Sequence, residues 1–496
     1  MRYWLTGLLV IALATSCGRS TDPDILRMGL ASAPVNLDPR HATDAASSRV
    51  NHLLYRRLVE FDEEDRPIPG LATWRILDPT HYRFELRDDA NGRQFSNGDR
   101  LTARDVQATL NSILDPETGS PYRGQLELVE RIEVLDDERL DIHLNRPNPL
   151  FPALLALEVM PAGLLAGQHG FNRQPVGSGP FVLADWPDSG RLRLRRRADG
   201  QLLELVTVKD PGVRVMKLLR GEIDLLQSDL PPELFGYLDE QDGLRVTRRT
   251  GANFSYLGLN LEDSQLSRLP VRRALAFAID REAIIRHVMH GAAQPAEALL
   301  PPRHWAGAGD LPPLVHDPTR ARELLAEAGF GPDNPLRLEY KTSADPFRVR
   351  LATIIQAQLA QVGIEVDVRS LDWGTFYGDV KAGRFQLYSL TWVGIKTPDH
   401  FRYVFHSESL PPKGANRGRY RSNEADRLIE AAEAQPDLPG QAAAYRRLQR
   451  HLLADLPYIP LWYEDQVAAF GPGIAGYRLA ADGSWDGLAE VEKESP

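Results

Sequence analysis

A strand–helix–strand unit in the second half of the chain sets the strongest limit on the fold. Leu336, Leu338 and Tyr340 alternate with polar residues, as in a strand with one buried face. A helical stripe of apolar residues follows and ends at Gly363, and Ile364 begins a second alternating run. Two strands joined by a helix are typical of layered α/β proteins. We therefore expect an α/β fold.

Length and charge narrow the class of protein further. The chain has 496 residues, more than one hydrophobic core normally holds, so we expect two or three compact units. The formal net charge of −10 argues against a general nucleic-acid binder, and no nucleic-acid partner is expected. The chain has one cysteine, which excludes an intramolecular disulfide.

That cysteine, Cys17, ends a segment with the pattern of an export signal. Arg2 precedes an apolar run from Leu8 to Leu13 that is too short for a stable membrane anchor. The tetrapeptide from Ala14 to Cys17 resembles a bacterial lipoprotein box, in which the cysteine is lipidated and becomes the mature N-terminus. We expect a protein held on a membrane by this lipid and facing the periplasm or the cell exterior. An ordinary secretory signal cleaved nearby is the alternative.

The segment from Phe385 to Tyr420 has the composition of a small-molecule cleft. An alternating apolar run ends at Trp392, in front of a loop that contains Gly394. Asp399, further aromatic residues and Arg417 follow. Aromatic faces and a few polar groups at a strand-to-loop junction suit a ligand pocket, although the same aromatic residues could simply form a core.

Motifs for catalysis are absent from the sequence. It contains no Gly-Lys pair for a phosphate loop, no His-Glu-x-x-His metal helix and no Gly-x-Ser-x-Gly elbow. His287 and His290 lie one helical turn apart, but a solvated helix face explains them better than a metal, and we expect neither metal nor cofactor. Asp399 with His400 and His406 leaves open the alternative of a secreted hydrolase or metal-dependent enzyme.

Six segments together resemble the peptide/nickel-type family of bacterial solute-binding proteins, the extracellular receptors of ABC importers. The resemblance covers nearly the whole mature chain, and two of the segments, PVGSGPF and VRRALAFAIDRE, are quite specific in their order and spacing. The segments are NLDP at Asn36–Pro39, FSNGDRLTARDV from Phe95, PVGSGPF at Pro175–Phe181, VRRALAFAIDREAII from Val271, DPTRARELLAEAGF from Asp317 and YIPLWYE at Tyr458–Glu464.

The resemblance implies a two-lobed, type II-like clamshell of the periplasmic binding proteins, with an extra α+β subdomain. Ligand would be enclosed between lobes joined by hinge strands. The implied divisions are a signal at 1–17, a tether at 18–24, lobe I at 25–55, 175–255 and 465–496, the subdomain at 56–174, and lobe II at 256–464.

The resemblance also implies a function. A monomeric receptor would close on a peptide or peptide-like solute and deliver it to the permease subunits of an ABC importer. A ligand-sensing or chaperone-like module that uses the clamshell without transport is a further alternative, since the sequence identifies no permease contact.

Ligand-binding residues can be carried over position by position. Tyr122, Trp373, Trp392 and Tyr463 match aromatic residues that line the cleft in related receptors, and Arg417 belongs to the aromatic segment described above.

Peptide-binding members place an amine-binding aspartate three residues after the tryptophan that Trp392 matches. Ile395 occupies that place here, with Lys396 beside it. We therefore expect a free peptide amine to add little affinity, unless Asp399 replaces the missing acid.

Overall fold

The computed structural model describes residues 25–87 and 93–494. The predicted signal segment, Cys17 and the tether lie outside these residues. None of the helices within the described residues is both long and apolar enough to cross a bilayer.

Lobe I opens the described chain, and the subdomain follows it. The subdomain is built around a four-stranded antiparallel sheet in the order β4-β5-β7-β6 and a separate two-stranded ribbon of β2 and β3. The elements of this part are β1 (Ile25–Leu30), α1 (Ala45–Leu54), β2 (Val59–Phe61), β3 (Pro67–Pro69), β4 (Ala72–Asp78), β5 (His81–Leu86), α2 (Ala103–Leu114), β6 (Val129–Val134), β7 (Arg139–Leu144), α3 (Phe151–Leu154) and α4 (Ala162–Leu165), with a 3-10 helix at Arg123–Leu126.

The chain then returns to lobe I and leaves it through one long strand. The elements are β8 (Phe181–Asp188), β9 (Arg191–Arg196), β10 (Leu202–Thr207), α5 (Pro211–Leu219), β11 (Leu225–Gln227), α6 (Pro232–Asp239) and the long strand β12 (Arg245–Leu259).

Lobe II alternates helices with strands, and a second long strand leads back to lobe I. The elements of lobe II are α7 (Leu269–Ala278), α8 (Arg281–His287), β13 (Ala293–Pro295), α9 (Pro318–Glu327), β14 (Leu336–Ser343), α10 (Pro346–Ala360), β15 (Ile364–Leu371), α11 (Trp373–Ala382), β16 (Leu387–Trp392), α12 (His400–Phe405), α13 (Asn423–Glu433) and α14 (Leu438–Asp455). The returning strand is β17 (Tyr458–Phe470), and β18 (Ile474–Ala475), a 3-10 helix at Asp486–Ala489 and β19 (Glu492–Lys493) follow it in lobe I.

One mixed sheet runs through both lobes. Its order is β15-β14-β16-β12-β17-β11-β1-β10-β9-β8, with β13 added beside β17. The antiparallel pair β12–β17 connects the two halves, and its register shifts between Thr250 and Asn253 and again between Ser255 and Tyr256. The divisions expected at 255/256 and 464/465 fall inside these two strands. The lobes are therefore joined by a two-stranded hinge rather than by a linker.

The hydrophobic cores match this division in part. Clusters around Met28 and around Leu226 fill lobe I, and the first also includes Met160 and Phe171 of the expected subdomain. A cluster around Phe84 and Val106 fills most of the subdomain. Lobe II has a core on each face of its part of the sheet, since successive side chains of a strand point to opposite faces.

Two local details show how the sequence sets its helices. Thr102 and Asp105 form a capping box at the start of α2. The segment from Val271 to Gly291 does not form one continuous helix, because the chain breaks into α7 and α8. Asp280 causes the break, since its side chain accepts a hydrogen bond from the Ala283 backbone N–H and caps a second helix.

Candidate functional site

A cavity of 690 Å³ lies between the lobes, against the hinge strands. Lobe I contributes Ser32 and Phe235, and lobe II contributes Phe347 and Val393. The wall at the hinge consists of residues of β12 and β17. A space with walls from both lobes is suited to a solute that is contacted fully only when the lobes approach each other.

The topology explains why loops meet at this cavity. β14 pairs in parallel with both β15 and β16, so the carboxyl ends of these three strands share one edge of the lobe II sheet. β1 ends at Leu30, and the next two residues line the cavity. Ligands of α/β proteins commonly bind outside the carboxyl ends of strands.

Three of the predicted ligand residues gather in one aromatic cluster on lobe II. Trp373 stacks on Tyr377 with ring centroids 5.4 Å apart and planes 5° from parallel. The Arg417 guanidinium lies 4.6 Å from the Trp392 ring centroid and 5.3 Å from that of Tyr377. It also donates hydrogen bonds of 3.1 Å to the hydroxyls of Tyr256 and Tyr377. We call these five residues the aromatic wall.

Within the aromatic wall, Trp392 ends β16 directly before the cavity residue Val393, but none of the five wall residues is among the described residues that line the cavity. Trp373 is 59% exposed and Val393 is 73% exposed, which leaves apolar surface free at this edge of lobe II. Arg417 is 9% exposed, and none of the ion pairs among the described residues includes it. Tyrosine hydroxyls and ring faces thus compensate its charge.

The histidines near the wall do not form a catalytic group with Asp399. The His400 ring lies 4.8 Å from that of Trp392, and burial lowers the pKa of His400. His406 turns instead to Glu430, at 3.4 Å. Asp399 is exposed at the start of α12, where it accepts a hydrogen bond from the Thr397 hydroxyl. The three side chains therefore interact with different neighbours.

The other predicted ligand residues pack within the protein. Ile395 is 3% exposed and belongs to a hydrophobic core of lobe II. The Tyr463 hydroxyl donates to the backbone carbonyls of Ala298 and Leu300, at 2.6 and 2.9 Å.

Tyr122 joins the subdomain to lobe I. Its hydroxyl donates a short hydrogen bond to the Ala42 carbonyl. None of the seven predicted ligand residues is among the described residues that line the 690 Å³ cavity. Ligand contact by all seven, including Trp373, Trp392 and Arg417, remains a prediction.

Sequence reasoning missed the five acids that line the cavity, and two of them lie in the hinge strand β17. Glu464 accepts hydrogen bonds from the hydroxyls of Ser255 and Thr391, at 2.8 and 3.2 Å. Asp465 follows it in β17, and its Oδ1 is buried without a hydrogen-bond partner. The sequence did contain a signal, since these two consecutive acids lie inside a strand whose other residues are mostly apolar. Carboxylates are seldom buried without a structural or functional role.

An ion pair separates this cavity from a second one. Lys396 of lobe II donates to Asp482 of lobe I, with 2.6 Å between Nζ and Oδ2. Although burial disfavours ionisation, Lys396 holds the pKa of Asp482 well below its usual range. Asp482 lines both cavities, and the second, of 310 Å³, is walled mostly by charged residues of the subdomain and lobe I.

A histidine cluster on the subdomain sheet is the one group within the described residues with donor atoms close enough for a metal. It consists of His81, Asp141 and His143. Arg83 donates two hydrogen bonds of 2.8 Å to the carboxylate and lowers the pKa of Asp141 to about 2. Arg131 lies 3.0 Å from His143. Two guanidinium groups beside the donors oppose a further cation, so the cluster is explained as a cross-strand network.

Comparisons with known proteins agree with this architecture. Residues 66–410 match the model of the family described as bacterial extracellular solute-binding proteins, family 5, middle region. The chain is 28% identical to di/tripeptide-binding protein 2 of Pseudomonas aeruginosa, over 95% of this chain and 96% of that protein. It is 30% identical to the peptide transport periplasmic protein SapA of Salmonella typhimurium, over 100% and 99% of the two chains.

A solved structure is similar over the same extent. NikZ from Campylobacter jejuni, in complex with Ni(L-His), superposes with a TM-score of 0.77 at 25% identity. The match covers 95% of this chain and 100% of NikZ. The likeness includes both lobes and the subdomain.

Proposed function

Because this chain belongs to the bacterial extracellular solute-binding proteins of family 5, we propose that it captures a peptide or peptide-like solute for an ABC importer. The observation that carries the proposal is the 690 Å³ cavity with walls from both lobes and the hinge. A solute bound there contacts both lobes together only when they are close. Binding therefore favours a closed form, which the permease subunits would recognise.

The aromatic wall supplies affinity in this proposal. Flat ring faces pack against many apolar or planar groups, so Trp373 and Trp392 tolerate different side chains of a peptide. The names of the relatives support a peptide, since two of them are named for di/tripeptide binding and peptide transport. NikZ was solved with Ni(L-His), so binding of other small solutes also occurs among similar proteins.

Mass spectrometry of the solute that co-purifies with the protein tests the proposal. The same peptides, added in excess in a thermal-shift screen, should raise the melting temperature. At one hundred times its dissociation constant a true ligand stabilises the fold by about 2.7 kcal/mol. Hydrolysis of any of these peptides by the purified protein would contradict the receptor role and favour the enzyme alternative.

Lipid anchoring and transport complete the proposal. In it Cys17 is lipidated and residues 1–16 are removed, which mass spectrometry of the native N-terminus checks. A mature protein that starts elsewhere would contradict it. Recovery of permease subunits in a pull-down from envelope membranes supports transport, and their absence favours a sensing or chaperone-like role.

A further inference from the structure

Most charged groups of the interlobe cavity already have partners. Asp345 caps α10 by accepting from the Arg348 backbone N–H at 3.0 Å. Glu464 pairs with the Arg348 guanidinium at 3.5 Å. Asp482 pairs with Lys396 at 2.6 Å. Glu464 and Asp482 thus have counter-charges within the protein, and Asp345 has a helix N-terminus. Asp229, the other acid of the lining, is exposed to solvent.

Asp465 differs from them. It sits on the hinge strand β17 within the cavity wall, and Oδ1 is sealed from solvent with no hydrogen-bond donor. Among the described residues, no cation lies within ion-pair distance of this carboxylate. Burial raises the pKa of Asp465 to about 6, and Arg248 offsets this only partly. Arg248 is itself paired with Asp239, at 3.0 Å.

The Asp465 carboxylate lacks a counter-charge, and a cationic solute would provide one. Removing it from water without a counter-charge costs free energy, and that cost is recovered when a cation binds. The hinge strand belongs to both lobes, so a group bound there stays in the cavity as the lobes close.

We propose that Asp465 binds a cationic group of the captured solute, such as the free amine of a peptide. This inference rests on the receptor function proposed above and specifies its ligand class. It reverses the expectation drawn from Ile395, because the acid that meets the amine need not follow Trp392. Asp399, the replacement suggested by sequence, is exposed and outside the cavity lining.

Two matched peptide libraries test the inference. One is an equimolar set of tripeptides without Lys, Arg or His, and the other is the same set N-acetylated, so that the terminal amine is the only cationic group that differs. Retained masses are measured by native mass spectrometry at pH 7.5, with the full-length protein and with its Asp465→Asn, Asp399→Asn and Asp333→Asn variants. Asp333 is an exposed acid of lobe II and serves as the control.

We expect the wild-type protein to retain free-amine peptides at least tenfold better than acetylated ones. Asp465→Asn should reduce this preference below threefold, and Asp333→Asn should keep it. Thermal melts establish that each variant is folded. Equal retention of both libraries by the wild type would overturn the inference but leave the receptor function standing, whereas retention of neither would overturn both. Loss of the preference in Asp399→Asn, with Asp465→Asn unaffected, would identify Asp399 as the amine partner instead.

Discussion

At the scale of single residues, Arg417 shows how a buried charge can be held without an acid. Two tyrosine hydroxyls accept its hydrogen bonds, and two ring faces cover it. Hydrogen bonds to a charged group contribute about 1.5–3 kcal/mol, so the guanidinium orders the rings around it. The aromatic wall is thus fixed from within lobe II, whereas its outermost ring, Trp373, remains exposed.

Trp373 and Trp392 differ in exposure, so their substitution by alanine should have different effects on stability and binding. Trp373→Ala removes a largely exposed ring and should leave the melting temperature nearly unchanged, while weakening binding of the co-purifying solute about tenfold, or about 1.4 kcal/mol. Trp392→Ala should lower both the melting temperature and the affinity for the solute, because the ring also packs against Tyr256 and Arg417. Calorimetry and thermal melts measure the two effects, with Trp373→Phe as the conservative control. Unchanged affinity in Trp373→Ala would exclude this ring from the solute contact.

The buried carboxylate of Asp465 predicts a pH effect on stability. Its folded pKa of about 6 lies above the ordinary value of about 3.9 for aspartate, so the unfolded state loses this proton first. Stability is therefore lost as pH rises from about 4 through 6. The charged groups around the carboxylate are Arg49, Asp229, Arg248, Asp345, Arg348, Glu464 and Asp482.

Asp465→Asn removes this titration. Without solute, the variant should melt at a higher temperature than the wild type at pH 8, and the difference should disappear near pH 4. Thermal melts across this range provide the measurement, with Asp333→Asn as control. A variant that is less stable at pH 8 would show that the carboxylate is stabilised by partners within the protein.

At the scale of elements, the two glycines of the PVGSGPF segment allow its backbone to contact α1 closely. A Cβ at Gly177 would lie 2.1 Å from the Leu54 carbonyl oxygen, and one at Gly179 would lie 2.4 Å from that of Leu53. The Gly179 backbone N–H also donates to Leu54, at 2.8 Å. The turn therefore presses its backbone onto the end of α1, where the subdomain returns to lobe I.

Alanine at either position of this turn should be destabilising. Overpacking of this kind costs about 1–3 kcal/mol. Gly163→Ala is the control, since its Cβ would meet nothing within 4 Å and alanine is favoured in a helix such as α4. Chemical denaturation should show a loss for Gly177→Ala and Gly179→Ala and no loss for Gly163→Ala. Equal stability of all three would mean that the turn can shift away from α1.

Sequence reasoning succeeded where the signal was local. The strand–helix–strand unit of lobe II depends on neighbouring residues, and it is present as β14, α10 and β15. The partners of the aromatic wall were harder to find, since Tyr256 and Tyr377 come from segments far from Arg417 in the chain. Asp465 was missed because its importance depends on which strand faces the cavity, and this follows only from the three-dimensional pairing of β12 and β17.

At the scale of the whole molecule, charged side chains tie the lobes together beyond the hinge. Lys396 reaches Asp482, Arg350 pairs with Glu233, and Arg303 of lobe II pairs with Asp65 of the subdomain at 2.8 Å. Partly buried pairs of this kind are screened less by salt than exposed ones. We expect these pairs to favour this arrangement of the lobes before a solute is bound.

Removing one of these pairs should open the unliganded protein. Lys396→Met leaves Asp482 without its cation and should raise the radius of gyration in small-angle scattering, because the closed population falls. Lys413→Met, at an exposed lysine, should have no effect. Saturating solute should restore the wild-type profile. Identical scattering of Lys396→Met and the wild type without solute would show that the pair does not influence closure.

The two long strands of the hinge also restrict how such a protein can change over generations. Each strand is shared by both lobes. The gene segment for lobe II therefore begins within one hinge strand and ends within the other, and lobe I is encoded by three separate stretches of the gene. One recombination event between related genes cannot exchange a single lobe, and a hybrid needs two breakpoints inside paired strands. We therefore expect new specificities in this scaffold to arise mainly through point substitutions in the cavity wall.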